Sequence, residues 1–145
     1  MLTVVPDATV LVSAAISRVG NPDRILKAWQ ASELSLVVCP QLLQEVRSVL
    51  LQPRLRRYLS EEEANEFVDL LETAADLRAD PDVVERVVPA DPKDDYLFAL
   101  AREAGVDVVL SGDKHVTGLE SPRPRVVTPA QLVAELERWQ RGRPV

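Results

Sequence analysis

Apolar residues in this chain fall into two kinds of run. Residues 2–5, 34–39 and 106–110 form short stretches with almost no polar interruption, as in strands covered on both faces. Elsewhere apolar positions recur every three or four residues, which predicts amphipathic helices. Ile25, Leu26 and Trp29 share one such face, and Leu42, Leu43, Val46, Val49 and Leu50 share another. Ala64, Phe67, Val68 and Leu71 form a third, Leu97, Leu100, Ala101 and Ala104 a fourth, and Leu132, Leu136 and Trp139 a fifth.

The punctuation between runs agrees with this division. Asn21-Pro22 predicts a helix cap followed by proline at the first helical position. Pro40 ends the second apolar run, and Pro53 breaks the helix that follows it. Ser60 with Glu63, and Thr128-Pro129 with Gln131, have the spacing of capping boxes. Asp91-Pro92 opens another helix, which Gly105 closes. Residues 76–79 and 125–127 are expected as short strands, and 83–88 is open between helix and loop. Strands alternating with helices argue for a parallel α/β sheet. Such sheets bind ligands at the carboxyl ends of their strands, near a reversal of strand order. Asp7 and Asp113 each follow the end of an apolar strand, so both are expected at that edge.

Composition narrows the picture. At 145 residues the chain fits one domain, expected as residues 1–140 with a frayed tail at 141–145. Aromatics are only 4%, so the core must be built mostly from Leu, Val and Ala. No apolar run approaches the roughly 20 residues that span a bilayer. No basic flank marks a signal peptide, and the expected compartment is the cytoplasm. The lone cysteine, Cys39, rules out an intramolecular disulfide and a Cys-rich zinc site, and is expected as a buried filler. A formal charge of -6 argues against an ordinary phosphate-binding surface. The objection weakens if several acids are gathered to hold divalent cations, which reverse the local charge.

The acids are the candidate chemistry. Asp7 and Asp113 follow strands, while Asp91, Asp94 and Asp95 cluster at a helix start. Glu45 lies about 100° from the centre of its helix's apolar stripe, at the border of core and solvent. Each acid has an ordinary reading as cap, dipole partner or turn residue. Taken together, three or four carboxylates at a strand edge suit one or two hard cations such as Mg²⁺ or Mn²⁺. Two such ions about 4 Å apart promote phosphodiester cleavage by water. Competing chemistries lack their parts: there is no Walker loop, GxGxxG or GxSxG, and His115 is the only histidine. A haloacid-dehalogenase-type phosphatase needs an acid two places after its first aspartate, and Thr9 stands there.

The blocks "VVPDATVLVSA", "CPQLLQEVRSVL", "ADPKDDYLFALAREAGVDVVLSGDKHV" and "RVVTPAQLVAEL", in this order and spacing, resemble the PIN domain family. The likeness is to its compact bacterial members, which include VapC-like toxins. The resemblance implies a three-layer α/β/α Rossmann-like fold around a parallel sheet. It also implies a Mg²⁺- or Mn²⁺-dependent endoribonuclease that leaves 3′-hydroxyl and 5′-phosphate ends. The family's acids fall on Asp7, Glu45, Asp94 and Asp113, with Asp7, Asp94 and Asp113 as metal ligands. Asp91 and Asp95 stand close enough to exchange with Asp94 or to support it. Thr9, where the family often has asparagine, and Ser111 are expected to support the carboxylates by hydrogen bonding. Arg47, Arg54, Arg56, Arg57 and Lys114 are candidates for guiding an RNA backbone, or equally for a solvated face. The implied partners are RNA, a second copy of the chain and a small antitoxin, with no membrane. Trp29, Leu26, Phe67, Leu70 and Leu71 mark the expected self-association face, unless they pack within one chain. The alternative is a PIN-like module that binds RNA or protein without cleaving.

Overall fold

The structure, a computed structural model, describes residues 1–89, 92–120 and 122–142. Its strands are β1 (Leu2–Pro6), β2 (Leu34–Val38), β3 (Asp76–Leu77), β4 (Val108–Leu110) and β5 (Arg125–Val127). They form one sheet in the order β3-β2-β1-β4-β5, and every pairing is parallel. Among the described residues seven α-helices flank it: α1 (Ala8–Ile16), α2 (Asn21–Gln30), α3 (Pro40–Leu50), α4 (Glu61–Ala74), α5 (Asp95–Ala104), α6 (Lys114–Thr117) and α7 (Pro129–Arg141). Tight 3₁₀ turns occupy Pro53–Arg57 and Pro92–Asp94. The expected parallel α/β/α architecture is the observed one.

The central strands β1, β2 and β4 are mostly apolar because helices cover both faces. Val4, Val5, Val108, Val109 and Leu110 are fully buried. Phe98 is the largest fully buried side chain, in a core otherwise dominated by Leu, Val and Ala. Strand order reverses at β1, with β2 and β3 on one side and β4 and β5 on the other. Right-handed crossovers then carry the helices before and after the reversal to opposite faces, leaving a crevice beyond the ends of β1 and β4.

Two helices, α1 and the short α6, have no sequence prediction. Residues 8–16, "ATVLVSAAI", lack the polar face that marks a surface helix, yet they form α1. That helix is wedged between α2 and α3, and neighbours on more than one side remove the need for a polar face. Asp7 starts it by accepting the Val10 N–H at 2.8 Å. Pro6 lies beyond the last β1–β2 register pair, Val4 with Leu36, so its missing N–H costs no rung there.

Several boundaries differ from the sequence expectation. Gly20, not Asn21, is the N-cap of α2. The fourth strand starts at Val108 rather than at 106, because Val106 N–H is held by Ala101 O in the turn after α5. Gly105 takes the left-handed conformation there, with φ +67. Residues 83–88, left open by the pattern, form neither helix nor strand. Both expected capping boxes are present, Ser60 with Glu63 and Thr128 with Gln131. Asp91, expected at a helix start, lies outside the described residues.

Cys39 precedes α3 but makes no side-chain cap. Asp80, in the loop after β3, supplies one instead by accepting the Gln41 N–H at 2.8 Å. Burial pushes the Cys39 thiol up to about 12, which suits an unreactive filler. Trp29 and Leu71, two of the residues expected at a self-association face, are buried within the chain. Leu70 is exposed, and Leu26 and Phe67 are partly buried. No helix among the described residues is long and apolar enough to cross a membrane.

Candidate active site

Asp7 and Asp113 reach the edge of the sheet by the same local device. Each follows a strand, β1 or β4, and each caps the helix that begins one residue later. Asp7 Oδ1 accepts from Val10 N–H at 2.8 Å, and Asp113 Oδ1 accepts from His115 N–H at 2.8 Å. A carboxylate at the mouth of a buried strand is thus a helix cap first, and its placement at the strand-order reversal adds a second use.

Ser111 joins the two. Its buried hydroxyl donates to Asp7 Oδ2 at 2.6 Å and accepts the Asp113 N–H at 3.1 Å. The supporting role expected of Ser111 matches this geometry. The adjacent strand pairing is completed by Asp7 N–H to Leu110 O at 2.9 Å.

The other two acids arrive on helices. Glu45 sits half-buried on α3, and Asp94 ends the 3₁₀ turn before α5 and is buried. Asp7, Glu45, Asp94 and Asp113 line one open pocket of about 310 Å³, together with Ala8, Thr9, Val12, Val49, Arg54 and Lys93. The structure therefore brings together the four acids that the resemblance singles out, with Thr9, expected to support them, and Arg54, expected to guide RNA.

Electrostatics reflect the crowding. The Asp7 carboxyl is raised above the ordinary aspartate range, first by burial and then by the charges of Asp113 and Glu45. Hydrogen bonds from Ser111 and Val10 oppose the rise. An aspartate raised in this way is stabilised by a nearby cation. The donor set is all carboxylate oxygen, which suits Mg²⁺ or Mn²⁺ rather than a soft metal. Both Asp7 oxygens carry one hydrogen bond, and an ionised carboxylate keeps further lone pairs for a ligand. Among the described residues no three His, Cys, Asp or Glu side chains are already placed to hold a metal ion together. An open pocket is compatible with Mg²⁺, which retains several waters and takes few protein ligands.

Other expected residues lie elsewhere. Asp95 is buried and points away from the pocket: it accepts Val87 N–H at 3.1 Å and Val88 N–H at 2.8 Å, and pairs with Arg86 Nε at 3.0 Å. It ties down the loop before α5 instead of supporting the carboxylates directly. Arg47 is bound to Asn65 and Asp69 on α4. Arg56 turns inward to the carbonyls of Leu50 and Gln52, beyond the C-terminal end of α3. Arg57 stacks over the Tyr58 ring. Neither Arg57 nor Lys114 lines the pocket, although both are exposed. Of the five cations expected to guide RNA, only Arg54 lines the pocket.

Two polar residues at the site have no sequence expectation. Lys93 lines the pocket, and Tyr96, which does not line it, donates its hydroxyl to Glu45 Oε2 at 2.9 Å. The available signal for Tyr96 was its place on the inner face of α5, since a buried tyrosine hydroxyl ordinarily finds a polar partner.

The model of the PIN domain family matches residues 3–115. An uncharacterized protein of Methanocaldococcus jannaschii is 24% identical over 95% of this chain and 94% of its own length. Among solved structures, PAE2754 from Pyrobaculum aerophilum superposes with a TM-score of 0.65 at 15% identity, covering 94% of this chain and 90% of that one. VapBC2 from Rickettsia felis, bound to a promoter DNA fragment, gives 0.59 at 8% identity over 88% of this chain and 98% of that one. VapC20 from Mycobacterium tuberculosis, a sarcin-ricin loop cleaving toxin, gives 0.51 at 12% identity over 82% and 98%.

Proposed function

The chain belongs to the PIN domain family, and from that premise we propose that it is a Mg²⁺- or Mn²⁺-dependent endoribonuclease, the toxin of a type II toxin–antitoxin pair. The observation that carries the reading is the convergence of Asp7, Glu45, Asp94 and Asp113, from four separate segments, on one pocket where strand order reverses. A solvated surface gives no reason for that convergence. In this reading Asp7, Asp94 and Asp113 would hold the metal, and Glu45 would be a further ligand or orient the attacking water. Bound metal would supply an acidified water and stabilise charge on the phosphate. Ser111 keeps Asp7 in place, and Thr9 offers a hydroxyl at the rim. Arg54 and Lys93 bring positive charge to an otherwise acidic pocket, where they would steer a phosphate toward the carboxylates.

Incubation with a mixed RNA pool tests this. Cleavage is expected with Mg²⁺ or Mn²⁺ and is expected to stop with EDTA. Asp113→Asn should lower the rate at least about 100-fold, since even residues behind a metal ligand commonly cost 10- to 100-fold. Metal-independent cleavage, or full activity in Asp113→Asn, would reject the metal site.

The proposal extends to partners and setting: a cytoplasmic homodimer restrained by a small antitoxin. Leu70 and the partly buried Phe67 remain available on α4 for self-association. Sedimentation at micromolar concentration is expected to give a dimer that Leu70→Asp shifts toward monomer. A wild-type monomer throughout that range would remove the homodimer from the proposal.

A further inference from the structure

Glu45 is the one pocket acid carried in the middle of a helix, on a long side chain at the border of the core. Left alone, such a side chain samples several rotamers and must lose that freedom to act at a fixed point. The structure holds it from the opposite element: Tyr96, on α5, donates its hydroxyl to Glu45 Oε2 at 2.9 Å. Tyr96 itself is 3% exposed, so its ring is fixed by packing. Neither residue is local to the other, being 51 positions apart, and the bond spans α3 and α5. A tyrosine hydroxyl facing a carboxylate is the donor of the pair.

We infer that Tyr96 is a positioning residue: its buried hydroxyl ties down Glu45 Oε2 and leaves Oε1 as the oxygen presented to the pocket. Glu45 then acts through one oxygen rather than as a bidentate clamp. A smaller or apolar side chain at 96 would leave Glu45 free to swing toward solvent. The inference rests on the metal-dependent reading of the pocket and adds to it a residue that touches neither metal nor RNA.

The test uses the full chain and Mn²⁺ alone, followed by calorimetry or by the loss of the free-ion paramagnetic resonance signal, with RNA cleavage measured in parallel. Tyr96→Phe keeps the ring and removes only the hydroxyl. It is expected to weaken Mn²⁺ binding and lower kcat by about 10-fold each, with KM for RNA little changed. Glu45→Gln provides the second arm. In that background Tyr96→Phe should add less than about twofold, because a residue acting through Glu45 has nothing left to position. Thermal unfolding confirms that each variant is folded. Wild-type Mn²⁺ affinity and kcat in Tyr96→Phe would overturn the positioning role while leaving the metal site intact. An undiminished Tyr96→Phe effect in the Glu45→Gln background would also overturn it, by showing a structural role. A wild-type protein that neither binds Mn²⁺ nor cleaves RNA would remove the underlying reading and this inference together.

Discussion

Replacing Asp7 with asparagine is expected to remove at least about 99% of RNA cleavage and, in the same protein, to raise the stability of the metal-free fold at neutral pH. The two effects have one origin. Burial and the charges of Asp113 and Glu45 hold the Asp7 carboxyl above its ordinary range. Its folded pKa therefore exceeds the unfolded value of roughly 3.9. Below the unfolded value both states hold the proton, and Asp7 costs nothing. As pH rises through the folded value, the ionised form is disfavoured in the fold and stability is lost. Asparagine cannot ionise, yet it caps a helix about as well as aspartate and can still accept the Val10 N–H. Urea unfolding without metal should show Asp7→Asn level with wild type near pH 4 and more stable at pH 7. The expected gain is on the order of 1 kcal/mol, the usual size of a single stabilising substitution. Saturating Mn²⁺ should narrow or reverse the difference by binding the wild-type fold. A variant less stable than wild type at pH 7 without metal would show that the charge is not held under strain.

The largest loss of stability is expected at Asp95, outside the pocket. Asp95→Ala removes the acceptor of the Val87 and Val88 N–H groups and the partner of Arg86. Val88 is fully buried, so water cannot easily replace the lost bond at its amide. Arg86 is largely exposed and contributes little. A buried donor left unpaired costs about 1–3 kcal/mol, and two amides are affected, one of them partly solvated. The sum is expected near 3 kcal/mol by chemical denaturation, with Asp95→Asn milder because it keeps one acceptor oxygen. A change below about 0.5 kcal/mol, the range of ordinary surface substitutions, would mean that this loop is held by other contacts.

Asp94 and Asp95 also show where sequence reasoning runs out. The resemblance places the family's third acid on Asp94, and Asp94 lines the pocket. A helix turns about 100° per residue, so the neighbouring acid faces elsewhere and serves the loop. Residue type alone does not separate the two. The strands β1, β2 and β4 were legible because buried parallel strands are apolar on both sides. Helix α1 was not, for the same physical reason: a segment enclosed on several sides carries no period to read. Arg47 and Arg56 are candidates in the sequence for guiding RNA or for a solvated face, but they answer to acceptors made available only by folding, on α4 and near the C-terminal end of α3. Tyr96 was invisible because its partner, Glu45, comes from a different helix.

The bond from Ser111 to Asp7 joins residues 104 positions apart, and it lies between the first and fourth strands. A chain emerging from the ribosome presents β1, Asp7 and α1 early, but their neighbour on the β4 side does not yet exist. The edge between them stays open until Ser111 and Asp113 have cleared the exit tunnel and β4 has docked. Chains emerge N-terminal end first as they are made, and this topology postpones the pocket until β4 and the segment after it are in place. A product ending before β4 has only part of the carboxylate set. For a protein whose proposed substrate is RNA, the order of the strands keeps the cutting site incomplete while the segments before β4 are being made.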